Sequence, residues 1–254
     1  VSLARDNFAS YLNIKSDQLI FTSGATEANN LALLGHARAR LLEVGSPGHI
    51  ITLSTEHHAV LDPCRQLRNE GFSVTELDPD SNGLISIDQI KSAFKNDTFL
   101  VSIMIANNEI GVIQPVSEIA LLCYENGIKF HTDASQALSF IPINLETKLI
   151  NFFSLSAHKI YGPKGIGALI IPEEISILPL QWGGGHENGL RPGTIPVPLV
   201  IGFVKALEIA FEDYISRNRK IKVLRDKLLD NLERNIPDLL INGCMLNRLP
   251  NNLN

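Results

Sequence analysis

Lys159 lies at a position in this sequence where a lysine invites a chemical explanation. It belongs to Ser156-Ala-His-Lys-Ile-Tyr-Gly-Pro-Lys-Gly-Ile-Gly167, directly after a predicted strand and before a turn rich in glycine. A lysine there can reach into a cleft at the strand ends, where its amine can form a Schiff base with a cofactor aldehyde. Other strand ends carry polar residues of the types that a site for one such cofactor, pyridoxal 5'-phosphate, needs.

A possible phosphate site follows the first predicted strand, in Thr22-Ser-Gly-Ala-Thr-Glu27. Backbone N–H groups at the start of a helix can bind phosphate, and the hydroxyl groups of Ser23 and Thr26 can add to them. The same residues also fit a plain helix cap with a capping-box pattern. This segment therefore permits a phosphate site without requiring one.

Asp133 and His57 also follow predicted strands. Asp133 comes just after the run 129–132, where its carboxylate could keep a pyridine nitrogen protonated; the alternative is an ordinary aspartate in a turn. His57, in Thr55-Glu-His-His-Ala-Val60, could stack on the cofactor ring and shuttle protons, or it could cap the next helix. We assign a structural role to His58.

Two further polar segments complete the pattern. Asn108, in Ala106-Asn-Asn-Glu-Ile-Gly111, could face a cofactor oxygen or a substrate carboxylate. The glycine-rich run 183–194 is either a loop that closely approaches a ligand or a flexible surface loop. Each signal is weak alone, but all agree on one chemistry at successive strand ends.

The elements that must position these residues alternate along the chain. Several continuous apolar strands separated by helices predict an α/β fold, with a mostly parallel seven-stranded sheet between two helical layers. After Pro198, long helical patterns lead towards a second, smaller α+β domain. We predict strands at 18–22, 49–54, 73–77, 99–105, 129–132, 152–155 and 167–171, and helices at 27–42, 58–70, 87–94 and 116–126.

Composition excludes several classes of function. A formal net charge of −5 argues against a nucleic-acid partner, and no apolar run is long enough to span a membrane. Cys64, Cys123 and Cys244 are far apart and include no CxxC pair, so we expect neither a disulfide framework nor a metal site. We expect a cytoplasmic protein with reduced thiols.

Taken together, the motifs resemble a known family. TSGATEANN, TEHHAV, NNEIG, DASQ, SAHKIYGPKG and GGGHENGLRPGT follow one another in the order found in class V aminotransferase-like enzymes, and most resemble cysteine desulfurases of the NifS/IscS type. The resemblance covers nearly the whole chain. It implies fold type I of the pyridoxal phosphate enzymes and a homodimer. It also implies conversion of L-cysteine to L-alanine and an enzyme-bound persulfide, which passes sulfur to iron–sulfur scaffold proteins or other acceptors.

The resemblance also implies a role for each site residue. Lys159 would bind the cofactor aldehyde, Asp133 would pair with the pyridine nitrogen, and His57 would stack on the ring. The other implied contacts are Gln136 and Asn108 on the phenolic oxygen side, Ala25, Thr26, Ser156 and His158 at the phosphate, and Thr194 at the phosphate of the neighbouring subunit.

Parts of the family pattern do not map onto this chain. The persulfide cysteine and the arginine that binds the substrate carboxylate are expected downstream of residue 254, so we assign structural roles to all three cysteines. Neither end carries a clear start or stop, which predicts a piece of a longer protein. Residues 1–211 would form the large cofactor domain, and residues 212–254 would begin the small domain.

Two alternatives share the same cofactor residues. Selenocysteine lyase differs from cysteine desulfurase in how the chalcogen is received, and a catalytically idle cofactor-binding scaffold would contribute only its surface to a sulfur-transfer complex. A nucleotide-binding enzyme is disfavoured, because neither GxGxxG nor GxxxxGK[ST] follows a predicted strand.

Overall fold

A central sheet organises the molecule. The computed structural model describes residues 1–141, 149–172 and 175–254, and these form one seven-stranded sheet in the order β1-β7-β6-β5-β4-β2-β3. The strands are β1 (Leu19–Thr22), β2 (His49–Leu53), β3 (Ser73–Leu77), β4 (Thr98–Ser102), β5 (Lys129–Asp133), β6 (Phe152–Ser156) and β7 (Gly167–Ile170). β3, β2, β4, β5 and β6 are parallel to one another, whereas β7 is antiparallel to both β6 and β1. The predicted α/β class with a mostly parallel sheet is confirmed.

Helices cover both faces of this sheet. They are α1 (Ser2–Tyr11), α2 (Ala25–Asn30), α3 (His36–Val44), α4 (His58–Asn69), α5 (Ile87–Ser92), α6 (Val116–Glu125), α7 (Val197–Phe211) and α8 (Tyr214–Asn235). A π-helical turn, Leu31–Gly35, joins α2 to α3, so the helical run is continuous from residue 25 to residue 44. Among the described residues, no helix is both long and apolar enough to cross a membrane.

Neighbouring residues of one strand show why both faces are covered. Phe21 of β1 packs in a core cluster with Phe8 and Phe203, whereas the preceding Ile20 packs with Leu33 in the cluster on the opposite face. Because successive side chains of a strand point to opposite faces, a run of apolar residues needs an apolar layer on each side. Continuous apolar strands therefore specify a sheet enclosed by helices.

The strand predicted at 99–105 differs from the structure at both ends. β4 begins at Thr98 and ends at Ser102, but the chain beyond it stays paired with β5. The N–H groups of Ile103 and Ile105 donate to the carbonyl groups of His131 and Asp133, each at 3.1 Å. This extension carries the backbone to the polar residues at the strand end.

The last residues of the chain return to the sheet domain. Val112 and Arg248 form an isolated antiparallel bridge, and the N–H of Leu249 donates to the carbonyl of Gly111 at 2.9 Å. The predicted domain boundary at 211/212 coincides with the turn between α7 and α8, where Asp213 has a φ of 52°. The division into two domains itself stays a prediction.

Candidate active site

A cleft lies where the strand ends meet. β1, β2, β4, β5 and β6 all point their carboxyl ends to this edge of the sheet, which is where ligands bind in open α/β folds. The cleft has a volume of about 460 Å³. It is lined by Ser23, Gly24, Ala25, Thr26, His57, Ala59, Met104, Ala106, Asn108, Asp133, Ser135, Gln136, Ser156, His158, Lys159, Lys164 and Gly165. Every predicted site residue except Thr194 is among them.

Lys159 projects from a short turn directly after β6. The turn is a 3₁₀ segment, Ala157–Ile160, and it is followed by Tyr161 in the left-handed region with a φ of 63°. A Cβ on Gly162 would lie 2.9 Å from the carbonyl oxygen of Ala157, so the chain needs glycine to fold back here. In the described parts of the chain, the Lys159 amine forms no hydrogen bond or ion pair, which leaves it available to an aldehyde.

Asp133 ends β5 and is held in a fixed orientation. Its side chain is 9% exposed, and its Oδ2 accepts a hydrogen bond from Asn29 Nδ2 at 2.7 Å. Its Oδ1 accepts from the N–H of Ser135 at 2.9 Å, as expected for an aspartate in a turn. The carboxylate is positioned from two sides and still lines the cleft.

His57 caps a helix and also lines the cleft, so its stacking on a cofactor ring stays a prediction. His57 is the N-cap of α4, and its Nδ1 accepts a hydrogen bond from the N–H of Ala59 at 3.0 Å. Because Nδ1 is an acceptor, the neutral ring carries its proton on Nε2. His58 has 77% of its side chain exposed, with Nδ1 3.7 Å from Asp62 Oδ1, which agrees with the structural role assigned to it.

The end of the cleft nearest β1 and β6 has the donors that an anion requires. Ser156 Oγ and His158 Nδ1 are 2.7 Å apart, and the first turn of α2 presents the N–H groups of Ala25 and Thr26. Burial and the nearby charges of Lys159 and Lys164 lower the pKa of His158, so its ring is uncharged at neutral pH.

The helix start itself is held by Glu27. Its carboxylate accepts the N–H of Ser23 and the Nε of Arg191, the latter at 3.0 Å. Burial by itself would raise the pKa of Glu27, but the hydrogen bonds from Ser23 and Arg191 outweigh it and lower the pKa. This arrangement uses the Ser23 N–H internally and links the loop 183–194 to the start of α2.

Asn107 supports the loop that carries Asn108. Its Nδ2 donates to the carbonyl of Thr55 at 3.0 Å, and its Oδ1 accepts the N–H groups of Glu109 and Ile110, each at 2.9 Å. Asn107 is buried and joins the His57 loop to the Asn108 loop, while Asn108 is exposed in the cleft. Sequence reasoning identified Asn108 and missed its neighbour.

The donor set suits pyridoxal phosphate at each of its polar ends. Lys159 suits an aldehyde, Asp133 a pyridine nitrogen, and the Ser156–His158 pair a phosphate. Ser135 Oγ is also buried without a hydrogen-bond partner among the described residues, as expected of a polar group that hydrogen-bonds to a bound ligand. The residues therefore fit this cofactor.

Thr194 lies outside the cleft of its own chain. It is exposed, in the loop that Arg191 ties to Glu27. Its contact with the phosphate of a neighbouring subunit stays a prediction.

The three cysteines occupy different environments. Cys64 and Cys123 are buried, and burial raises the pKa of each thiol to about 12. A thiol acts as a nucleophile through its thiolate, so neither residue is suited to receive sulfur at neutral pH. Cys244 is half-buried.

Comparison with known proteins agrees with the geometry. Residues 1–252 match the family described as "Aminotransferase class-V". The chain is 46% identical over 256 residues to cysteine desulfurase IscS of Histophilus somni, a match that covers 100% of this chain and 62% of that protein. It is also 46% identical over 257 residues to the IscS of Ehrlichia chaffeensis, with the same coverage. The chain thus spans about 62% of the length of these curated relatives.

Solved structures share the fold. DndA from Streptomyces lividans superposes with a TM-score of 0.92 at 40% identity, covering 98% of this chain and 70% of that one. SspA in complex with cysteine gives a TM-score of 0.77 at 44% identity, covering 82% of this chain and 59% of that one.

Proposed function

The chain belongs to the aminotransferase class-V family, and from that premise we propose that it binds pyridoxal 5'-phosphate and acts as a cysteine desulfurase. The reaction converts L-cysteine to L-alanine and places the sulfur on an enzyme thiol as a persulfide. The observation that supports this most directly is the convergence of Lys159, Asp133 and the Ser156–His158 pair on one cleft. That one structural neighbour, SspA, is described in complex with cysteine supports the choice of substrate.

When bound, pyridoxal phosphate supplies a ring that withdraws electrons from the substrate carbon. The chain contributes the groups that hold and orient that ring. Lys159 Nζ would hold the aldehyde, and its amine would accept and return protons in the cleft. Asp133 holds a proton at the ring nitrogen, and its bonds from Asn29 and Ser135 keep it aimed there.

The phosphate end anchors the cofactor. The N–H groups at the start of α2 donate to the phosphate oxygens, and the hydrogen-bonded Ser156–His158 pair supplies one further donor. Lys164 adds positive charge at the same cleft. Gln136 and Asn108 line the cleft on the side assigned to the phenolic oxygen. These contacts orient the ring without taking part in bond breaking.

His57 has two tasks in this proposal. Its Nδ1 is engaged by Ala59, so the imidazole plane is fixed where it covers one side of the ring and excludes water. Its Nε2 is the nitrogen left to exchange protons with the substrate.

Sulfur receipt and assembly depend on more than this cleft. Because Cys64 and Cys123 are buried with raised pKa values, we propose that neither of them is the persulfide cysteine and that this cysteine lies downstream of residue 254. The proposal includes a homodimer in which Thr194 reaches the neighbouring phosphate, transfer of sulfur to iron–sulfur scaffold or other acceptor proteins, and a cytoplasmic location, which suits the three free cysteines.

The test uses the purified full-length protein with and without added pyridoxal phosphate. We expect alanine and reducible sulfur from L-cysteine in equal amounts, and neither product from Lys159→Ala. Cofactor binding without alanine production would reject the desulfurase and leave an idle scaffold. Absence of cofactor binding would reject the whole proposal.

A further inference from the structure

Glu56 is a buried acidic residue next to the cleft to which the proposed mechanism assigns no role. It precedes His57 in the loop after β2, and it is 5% exposed. Its Oε1 accepts a hydrogen bond from the backbone N–H of Met104 at 2.7 Å. Met104 lines the cleft, so Glu56 ties the His57 loop to the chain that follows β4.

Glu56 has no positive partner. Its Oε2 is buried without a hydrogen bond, and no Lys, Arg or His of the described ranges forms an ion pair with it. The titratable groups that act on it electrostatically are Asp133 on β5 and Cys64 on α4. His131, which interacts with Asp133, has its pKa lowered to about 4 by burial and brings no positive charge at neutral pH.

A second buried glutamate shows what a paired carboxylate looks like in this fold. Glu187 is 6% exposed, forms a salt bridge with Arg5 and accepts the N–H of Phe21 at 2.6 Å. Both of its oxygens are therefore satisfied, one of them by a cation. Glu56 has the same burial and only one neutral donor.

Burying a charged carboxylate without a positive partner costs free energy, so such a group usually stays protonated and uncharged. Burial raises the pKa of Glu56 well above its usual range, the Met104 N–H opposes this in part, and the nearby Asp133 raises it further. The two carboxyl groups therefore play different roles although they are close enough to interact.

We propose that Glu56 is a positioning residue: an uncharged carboxylic acid that holds the His57 loop against Met104. Asp133 is then the carboxylate that is available to the ring nitrogen of the cofactor. The Glu56–Met104 contact keeps the ring of His57 in place without a second negative charge near the ring-nitrogen site. Its link to the cofactor rests on the function proposed above, but its protonation does not.

The first test uses the cofactor-free protein and compares Glu56→Gln with the matched variant Glu187→Gln. An unfolded glutamate loses its proton above a pKa of about 4.3, whereas folded Glu56 keeps it, so stability attributable to Glu56 falls as pH rises. We expect the melting temperature of Glu56→Gln minus that of wild type to increase from pH 5 to pH 8. We expect no such increase for Glu187→Gln. A Glu56→Gln difference that stays flat or falls over this range would show an ionised side chain and overturn the proposal.

An infrared spectrum at neutral pH gives an independent reading if either variant is too unstable to compare. Wild type should show the carbonyl stretch of a buried carboxylic acid, and Glu56→Gln should lack it. Persistence of the band in the variant, or its absence from wild type, contradicts the assignment.

The second test measures the dissociation constant of pyridoxal phosphate. Glu56→Gln keeps an acceptor for the Met104 N–H, whereas Glu56→Ala removes it. Glu56→Ala should therefore weaken pyridoxal phosphate binding roughly tenfold more than Glu56→Gln does, because one buried hydrogen bond is lost. Equal affinities for the two variants would remove the positioning role. If wild type binds no cofactor, the proposed function fails while the stability test still stands.

Discussion

Asn29→Ala tests whether the orientation of Asp133 sets cofactor affinity. Asn29 lies on the buried side of α2, and its Nδ2 donates to Asp133 Oδ2 at 2.7 Å. The next residue, Asn30, has the same side chain but donates to the carbonyl of Thr26 at 2.9 Å. The two adjacent asparagines therefore form a matched pair, of which one contacts the site carboxylate.

The expected magnitude follows from this hydrogen bond. A hydrogen bond to a charged group contributes about 1.5 to 3 kcal/mol, and each ~1.4 kcal/mol changes a dissociation constant about tenfold. Ser135 still donates to Asp133 Oδ1 in the variant, so the lower end of the range applies. We expect Asn29→Ala to weaken pyridoxal phosphate binding about tenfold.

The assay is a fluorescence or absorbance titration of the cofactor-free protein with pyridoxal phosphate, after circular dichroism has confirmed that each variant is folded. Asn30→Ala should bind within about twofold of wild type, since its lost bond is of the kind worth only a few tenths of a kcal/mol at a helix surface. If Asn29→Ala behaves like Asn30→Ala, the idea that Asn29 orients Asp133 is wrong.

Two further predictions concern stability. His49 and His131 are buried, and burial lowers the pKa of each to about 4. Below a pH of about 6.5 the unfolded chain therefore binds more protons at these two residues than the folded chain does, so the melting temperature should fall as pH is lowered towards 4. A melting temperature that does not change with pH would contradict this. Gly167→Ala would place a Cβ 2.5 Å from the carbonyl oxygen of Leu155, and it should destabilise the fold by about 1 to 3 kcal/mol in denaturant titrations. Gly185→Ala, which meets no atom within 4 Å, should be tolerated, and equal losses for the two glycine variants would refute the clash.

The elements were predictable because burial on both faces leaves a local pattern. β3 matches its predicted range, and the other strands differ by a few residues at most. The strand order was not predictable, because the position of β1 beside β7 depends on contacts between residues such as Phe21 and Ala168, which are far apart in the sequence.

The site was predictable where strand ends supply the chemistry. Lys159, Asp133 and His57 each follow a strand, and the parallel sheet brings those ends to one edge. Asn29 and Glu56 were missed because their roles come from contacts across the fold. A polar residue on an otherwise apolar helix side was the available signal for Asn29, whereas the sequence around Glu56 does not reveal its missing cation.

The central claim is that Lys159 is the lysine that binds the cofactor. Lys164 lines the same cleft and is the natural competitor, so the two must be distinguished chemically. The decisive measurement is borohydride reduction of the protein loaded with pyridoxal phosphate, followed by peptide mass mapping. We predict the reduced cofactor on Lys159 in wild type and in Lys164→Ala, and none on Lys159→Ala. A label on Lys164 in wild type, or no labelled peptide from a protein that binds the cofactor, would contradict the account.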